Sequence, residues 1–368
     1  MRITEVETYL VRPDGYSFKW GEKQPVVPIA LTFIRVKTDV GVEGHATAWL
    51  PGSHSEVGEM VELFFRHNLI GRDPLDREAI WQEMTATINN TMGTKATSAV
   101  DTALWDLAAK AADLPLYKYL GGHQDSKPAY ASTTHYNDIE SYLRLADESI
   151  ALGYQAYKLH PFGVPDKDID LVRAVREHVG PDIRLMIDPV NHYDFNGAMR
   201  VGRVLDELDF YWYEAPIRDE DIAGLRRLTA ELSTPIAAGE SLVRGIWDYA
   251  NLLRNDAGDI IRTIGDAMGG ITGLRKVGAM CEAFNRQIET HSYGPTLVQA
   301  AHLHFMLSAP NSEYYEQAVP GGMLDFGMKD VITVGPDGRV QAPTKPGLGY
   351  EVDWDAVDNA TEVHKTWN

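Results

Sequence analysis

Three carboxylates close three successive strand-like runs at a constant interval of 26 residues: Asp188 after Leu185-Met186-Ile187, Glu214 after Tyr211-Trp212-Tyr213, and Glu240 after Ile236-Ala237-Ala238-Gly239. One strand, one helix and two short loops need about that many residues. Each acid is therefore expected at the C-terminal end of one strand in a βα series. In a (β/α)₈ barrel those ends converge on one mouth, where the chemistry sits. One such acid taken alone reads as well as a helix N-cap or a surface carboxylate; three at equal spacing are harder to place that way. Converging carboxylates repel one another unless a cation lies between them. Hard oxygen ligands with room left for water and substrate suit Mg²⁺.

The rest of the chain supports the βα reading. Candidate strands are Pro128–Thr133, Gln155–His160, Ile183–Asp188, Phe210–Glu214, Pro235–Glu240, Asp259–Ile264, Gln287–His291 and Glu313–Glu316, with helical segments such as Ile169–His178 and Gly197–Leu208 between them. Eight strands alternating with helices predict an α/β fold of the (β/α)₈, TIM-like type. A doubly wound open sheet is the alternative. It more often carries a Gly-rich phosphate loop after its first strand, and this chain has none.

Ahead of the barrel, residues 1–50 read as a meander: strands Ile3–Val11 and Ile29–Thr38, a turn at Asp39-Val40-Gly41, and a return over Val42–Trp49. From Glu56 to about Leu120 the pattern is helical, with Val100, Leu104 and Leu107 on one stripe, and Gly121-Gly122 stops it. The expected domains are an α+β capping domain over 1–125, the barrel over 126–330, and a C-terminal segment over 331–368 that packs back on the cap. Long loops around Trp20 and Pro51 are of the kind that carries function.

A chain of 368 residues is too long for one ordinary core, which fits a barrel plus a cap. No apolar run approaches the length of a membrane span, and the start lacks the core of a signal peptide. The single cysteine, Cys281, excludes an internal disulfide and a thiolate-rich zinc site. A cytoplasmic location fits these features. A net charge of −19 disfavours nucleic acid and anionic membranes as partners. It leaves room for an anionic small molecule, since a bound metal and one lysine reverse the local field.

Further candidates lie on the same strand ends. Lys158 and His160 share one face of the second strand by period two, the interior face of a barrel. A buried lysine is rare unless paired or working, and beside a metal its pKa is expected to fall. Asp266 follows the sixth strand and His291 ends the seventh, so neighbouring strand ends are expected to bring them within hydrogen-bond reach as an acid–base pair. Glu316 ends the eighth strand and is a candidate to exchange a hydrogen bond with a substrate carboxylate.

These residues together resemble the enolase superfamily, and within it the mandelate racemase group. The resemblance spans nearly the whole chain. It is strongest in Asp101-Thr102-Ala103-Leu104-Trp105-Asp106, in Trp212-Tyr213-Glu214-Ala215-Pro216 and in Gly269-Gly270-Ile271-Thr272-Gly273. It implies that Asp188, Glu214 and Glu240 hold one Mg²⁺, that Asp266 and His291 form a dyad, and that Glu316 is the acid of strand eight. It also implies a cap whose loops close over the substrate; Trp20, Lys19, His54 and Asn191 are the candidate substrate contacts. The chain departs from the family pattern in three places. His160 replaces the second lysine of a Lys-x-Lys motif, only Ala267 and Met268 separate Asp266 from Gly269, and Asn191 lies three residues after Asp188 instead of two.

The chemistry that follows is removal of the proton alpha to a carboxylate, giving an enediolate whose charge a metal and a lysine can stabilise. Loss of a β-hydroxyl as water then yields a 2-keto-3-deoxy acid, the reaction of an acid-sugar dehydratase. Return of the proton on the opposite face gives a racemase or epimerase, and a lactonising cycloisomerase is a third outcome. A barrel that binds metal and sugar acid without turnover is the non-enzymatic alternative. The polar lid residues Lys19, Lys23, Gln24 and His54 favour a hydroxylated, anionic substrate, a sugar acid. A homo-oligomer is expected.

Overall fold

The protein was analysed as a computed structural model that describes residues 1–14, 17–19, 25–49, 53–88, 94–242, 245–322 and 324–368, with the backbone alone for Phe18, residues 53–55 and Ile88. Trp20, Lys23, Gln24 and Pro51 lie outside the described residues, as does the side chain of His54, whose backbone is in the helix Ser53–Met60.

The cap is built on β1 (Ile3–Val11), the short hairpin β2 (Ser17–Phe18) and β3 (Val27–Pro28), and the strands β4 (Leu31–Thr38) and β5 (Glu43–Trp49). The order in its main sheet is Thr361–Trp367, β1, β4, β5, all antiparallel. The C-terminal strand thus returns to the cap, pairing Val6 with Trp367 and Val11 with Thr361. Both faces of β4 are used. Leu31 and Phe33 join the core shared with the barrel, whereas Ile34 and Val36 pack under the cap helices, as period two requires.

The long helical stretch is divided. Helices Ser53–Met60, Arg66–Leu69, Arg77–Ile88, Thr94–Ala111 and Leu116–Tyr119 replace one run, with a π-turn at Val61–Phe65. Thr94–Ala111 is buried on every side from Ala96 to Ala109, because it lies between the cap sheet and the barrel. Its apolar stripe faces the cap. Ser98, Asp101 and Trp105, spaced three and four apart, face the barrel. Ser98 Oγ accepts from Gly269 N at 2.8 Å, Asp101 accepts from Thr272 N at 2.9 Å and Thr272 Oγ1 at 2.6 Å, and the Trp105 indole donates to Thr272 Oγ1 at 2.8 Å. Gly270 must be glycine: its φ is +70°, and a Cβ there would sit 2.5 Å from Asp101 Oδ2. The two sequence motifs are therefore the two halves of one interdomain joint.

Among the described residues the barrel contains eight parallel strands: β6 (Ser126–Ser132), β7 (Ala156–Leu159), β8 (Arg184–Ile187), β9 (Trp212–Glu214), β10 (Ile236–Ala238), β11 (Ile260–Thr263), β12 (Gln287–Thr290) and β13 (Tyr315–Ala318). They pair in chain order from β6 to β12, with β13 on the other side of β6. The buried Glu289 spans the remaining seam between β12 and β13, accepting from the backbone N–H of Glu313 at 2.7 Å.

A floor of Tyr130, Ala156, Met186, Trp212, Ala237, Ile260 and Tyr314 fills the barrel interior. Two residues after six of these come Ser132, Lys158, Asp188, Glu214, Arg262 and Glu316. The same strand faces that build the apolar floor thus carry a polar layer directly above it, at the C-terminal mouth. Among the described residues, no helix is long and apolar enough to cross a membrane.

Candidate active site

Asp188, Glu214 and Glu240 meet at the mouth, each offering a carboxylate oxygen within 4.8 Å of the others. The backbone turns sharply beside each acid: Val190 has φ +51°, Ala215 +39° and Gly239 +116°. A β-branched residue in the left-handed region costs about 1–3 kcal/mol, and such strain persists where the surroundings over-determine it. The surroundings here are specific. Asp188 Oδ1 accepts from Val190 N at 2.8 Å. Asn191 N donates to Ala215 O, and Asn191 Nδ2 donates to Ser241 Oγ at 2.9 Å. Asp219 accepts from the N–H groups on either side of Glu240, Gly239 and Ser241, at 2.8 Å each. Asn191 therefore laces together the three loops that carry the acids.

The three carboxylates fit a divalent cation. Burial, then the charges of Glu214 and Asp188, push the Glu240 carboxyl well above its ordinary value. Its Oε2 is buried without a hydrogen-bond partner. Both features mark a carboxylate arranged for a positive charge between the acids.

Two fully buried cations stand behind this group. Lys158 Nζ lies 3.0 Å from Glu214 Oε2, 2.9 Å from Glu316 Oε1 and 3.7 Å from Asp188 Oδ2. Arg262 donates from Nε to Glu214 Oε1 at 2.7 Å, from one terminal nitrogen to Thr290 O at 2.7 Å, and from the other to Glu316 Oε2. Burial works to lower the Lys158 pKa, but Glu214 and Glu316 outweigh it and the net direction is upward. Three carboxylates surround the amine and hold its charge. His160 Nε2 lies 3.2 Å from Asp188 Oδ2. Burial alone would raise Asp188, yet the His160 hydrogen bond, His160 itself and Lys158 hold it down at about 2.

Glu316 lies at the centre of the buried network. One oxygen meets Lys158 and Ser132 Oγ, and the other meets Arg262 and the N–H of Ser292. Burial opposes ionisation, but Arg262 and Lys158 keep its carboxyl well below the ordinary range. In this arrangement Glu316 holds the two buried cations, Lys158 and Arg262, in place.

Asp266 and His291 come to the same side of the mouth, and each shifts the pKa of the other. Among the described residues they share no direct hydrogen bond. The indole of Trp49, from β5 of the cap, donates to Asp266 Oδ2 at 3.0 Å instead. Asp266 Oδ1 and His291 Nδ1 are both buried without partners. Burial, with smaller contributions from Arg262 and Lys158 and against the pull of Glu316 and Asp266, pushes His291 down to about 4. At neutral pH its ring is uncharged and able to accept a proton. Its Nε2 lies 3.8 Å from Glu240 Oε1, on the side of the acids opposite His160. Lys95 of the cap also approaches Asp266, whose charge acts to raise the lysine against its burial. Of the lid candidates, Lys19 is described: its carbonyl accepts from His135 N at 3.4 Å, just beyond β6.

Sequence reasoning missed Arg262, Asp219, Trp49 and Lys95. The signal for Arg262 was present, as one charged residue inside Ile260-Ile261-Arg262-Thr263 on a barrel strand.

Comparisons with known proteins identify the family. Residues 2–121 match the mandelate racemase/muconate lactonizing enzyme N-terminal domain, and residues 141–356 match the enolase C-terminal domain-like family. The chain is 33% identical to a 3,6-anhydro-alpha-L-galactonate cycloisomerase of Streptomyces coelicolor over 89% of this chain and 90% of that one. It is 29% identical to an arabinonate dehydratase of Saccharolobus solfataricus over 88% and 89%. The crystal structure of an L-talarate dehydratase from Polaromonas sp., complexed with Mg and L-glucarate, superposes with a TM-score of 0.90 at 28% identity, covering 100% of this chain and 99% of that one. The chain belongs to the mandelate racemase/muconate lactonizing enzyme group of the enolase superfamily.

Proposed function

We propose that this protein is a Mg²⁺-dependent acid-sugar dehydratase, which removes the proton alpha to a carboxylate and then eliminates a β-hydroxyl as water. The observation that carries the reading is the three-carboxylate mouth flanked by a neutral imidazole, His291, on one side and by Lys158 and His160 on the other. Asp188, Glu214 and Glu240 would hold the metal. When bound there, it supplies the positive charge that stabilises an enediolate.

His291 takes or returns the proton at the α- or β-position, since its ring is neutral and faces the acids. Asp266 orients that ring, and Trp49 fixes Asp266. Lys158 presents a fixed ammonium charge to the substrate carboxylate, and Glu316 with Arg262 keep it there. His160 stands where it can meet the leaving hydroxyl or the opposite face of the α-carbon. Asn191 secures the acid-bearing loops, and Lys19, His54 and Trp20 are assigned to the lid over a polyhydroxylated carboxylate.

A cycloisomerase, lactonising or of another kind, is the second reading, and the 33% identity to the Streptomyces cycloisomerase supports that class. It needs the same α-proton chemistry with a different fate for the enediolate. A racemase or epimerase would use His160 and His291 on opposite faces. The deciding experiment incubates the Mg²⁺-loaded protein with a sugar-acid library and reads 2-keto acid formation. Dehydration gives a 2-keto-3-deoxy acid. Isomerisation without a keto product would overturn the dehydratase reading in favour of the alternatives.

A further inference from the structure

Behind Asp266, at the joint between cap and barrel, lies an enclosed cavity of about 10 Å³. That is room for about one water molecule. Its wall is largely apolar, with Leu274, Leu297 and Val298. Three of its lining residues, Thr47, Asp266 and His302, each carry a buried polar atom with no hydrogen-bond partner: Thr47 Oγ1, Asp266 Oδ1 and His302 Nδ1. Orphaned buried polar atoms are costly and rare, and three around one small cavity call for a shared partner.

Donor and acceptor balance identifies that partner. His302, on the helix Thr296–Ser308, is almost fully buried, and the backbone of His291 acts to raise its ring pKa, as a carbonyl beside a ring N–H does. With Nδ1 unpartnered, the donor is Nε2, which leaves Nδ1 as an acceptor. Burial, aided by the nearby Arg262 and opposed by Glu316, keeps this ring uncharged. Asp266 Oδ1 is an acceptor and Thr47 offers a hydroxyl donor. A water that donates to Asp266 Oδ1 and His302 Nδ1 and accepts from Thr47 Oγ1 satisfies all three.

We propose that Thr47, Asp266 and His302 jointly hold one buried water, and that Thr47 and His302 are thereby positioning residues for the Asp266–His291 pair. Thr47 and Trp49 are two apart on β5, so one strand face delivers both the water's donor and the indole that holds Asp266 Oδ2. The cap thus grips both oxygens of the carboxylate, one directly and one through water. Lys95 and His291 are the other charged or titratable groups acting on Asp266. The inference rests on the assignment of Asp266 and His291 as the acid–base pair.

The test needs no substrate, so it stands apart from the dehydratase reading. A high-resolution crystal structure of the Mg²⁺-loaded protein is expected to show one ordered water within hydrogen-bond distance of the three atoms. A dry cavity overturns the proposal. The Thr47→Val variant keeps the side-chain shape and removes the donor. It is expected to lose the water, to bind Mg²⁺ as the parent does, and to raise the Asp266 pKa by about one unit in a ¹³C-aspartate NMR titration, because the carboxylate loses a hydrogen-bond donor. His302→Leu is expected to act in the same direction; if it fails to fold, Thr47→Val alone decides. An Asp266 titration unchanged in Thr47→Val overturns the positioning role, even if activity falls.

Discussion

Arg262 Nε lies 2.7 Å from Glu214 Oε1, and both side chains are fully buried. With Lys158 on its other oxygen, the central carboxylate of the three is bracketed by two cations, and Glu316 closes the ring between them. Removing one member of such a network leaves buried charge uncompensated, which costs about 3–5 kcal/mol. Arg262→Met is therefore expected to lower the unfolding free energy of the metal-free protein by about that much in denaturant titrations. Arg262→Lys is expected to recover part of the loss, since an ammonium cannot reach both acids as a guanidinium does. A loss below about 1 kcal/mol for Arg262→Met would contradict the network.

Glu240 makes the opposite prediction for stability. Its neighbours Asp188 and Glu214 repel it, so Glu240→Gln is expected to leave the metal-free melting temperature unchanged or higher. The same variant is expected to lose most of the rise in Tm that Mg²⁺ produces in the parent. Equal Mg²⁺ stabilisation in parent and variant would remove Glu240 from the ligand set.

These two cases bear on what the sequence revealed. The three acids were legible because a βα unit has a nearly fixed length, so even spacing in sequence becomes a shared position in space. Lys158 and His160 were legible from period two. Arg262 was marked only as a lone charge in an apolar strand; its role was not legible, because its partners come from β9 and β13, far away in the chain. Glu316 was placed on the right strand but is its second residue, not its end, and its partners are non-local too. The direct Asp266–His291 hydrogen bond was expected from neighbouring strand ends. Trp49, which takes one Asp266 oxygen, arrives from the cap along a path that no local pattern encodes. The cap helices read as one run because apolar periodicity does not mark where a chain must turn around a barrel.

His291→Asn is expected to lower kcat by about 10²–10⁴-fold, the usual contribution of a general base, with circular dichroism and Mg²⁺ binding unchanged. Asp266→Asn is expected to lose less, because it orients the ring without exchanging the proton. A larger loss for Asp266→Asn than for His291→Asn would reverse their roles.

His304 gives a pH prediction away from the mouth. Its Nδ1 accepts from Tyr117 N at 2.8 Å, and its Nε2 pairs with Leu348 O at 3.1 Å. Burial pushes its pKa down to about 4, against a small raising effect of the Leu348 hydrogen bond and of Asp106. The folded pKa lies below the unfolded value of about 6.5, so the unfolded chain binds the extra proton first. The neutral ring's contribution is complete above about pH 6.5 and is lost as pH falls towards 4, at about 1.4 kcal/mol per pH unit. Over that window His304→Gln is expected to flatten the dependence of unfolding free energy on pH. An identical slope in parent and variant would show that His304 is not buried neutral.

Metal-dependent α-proton exchange bears most directly on the central claim. The protein is incubated in D₂O with the sugar acids it turns over, once with Mg²⁺ and once after exhaustive chelation, and deuterium at the α-carbon or in the 2-keto product is read by NMR and mass spectrometry. Deuterium incorporation and product formation are expected with Mg²⁺, both are lost on chelation, and both return when Mg²⁺ is restored. Full turnover in the chelated sample, or turnover that leaves the α-proton in place, would contradict it.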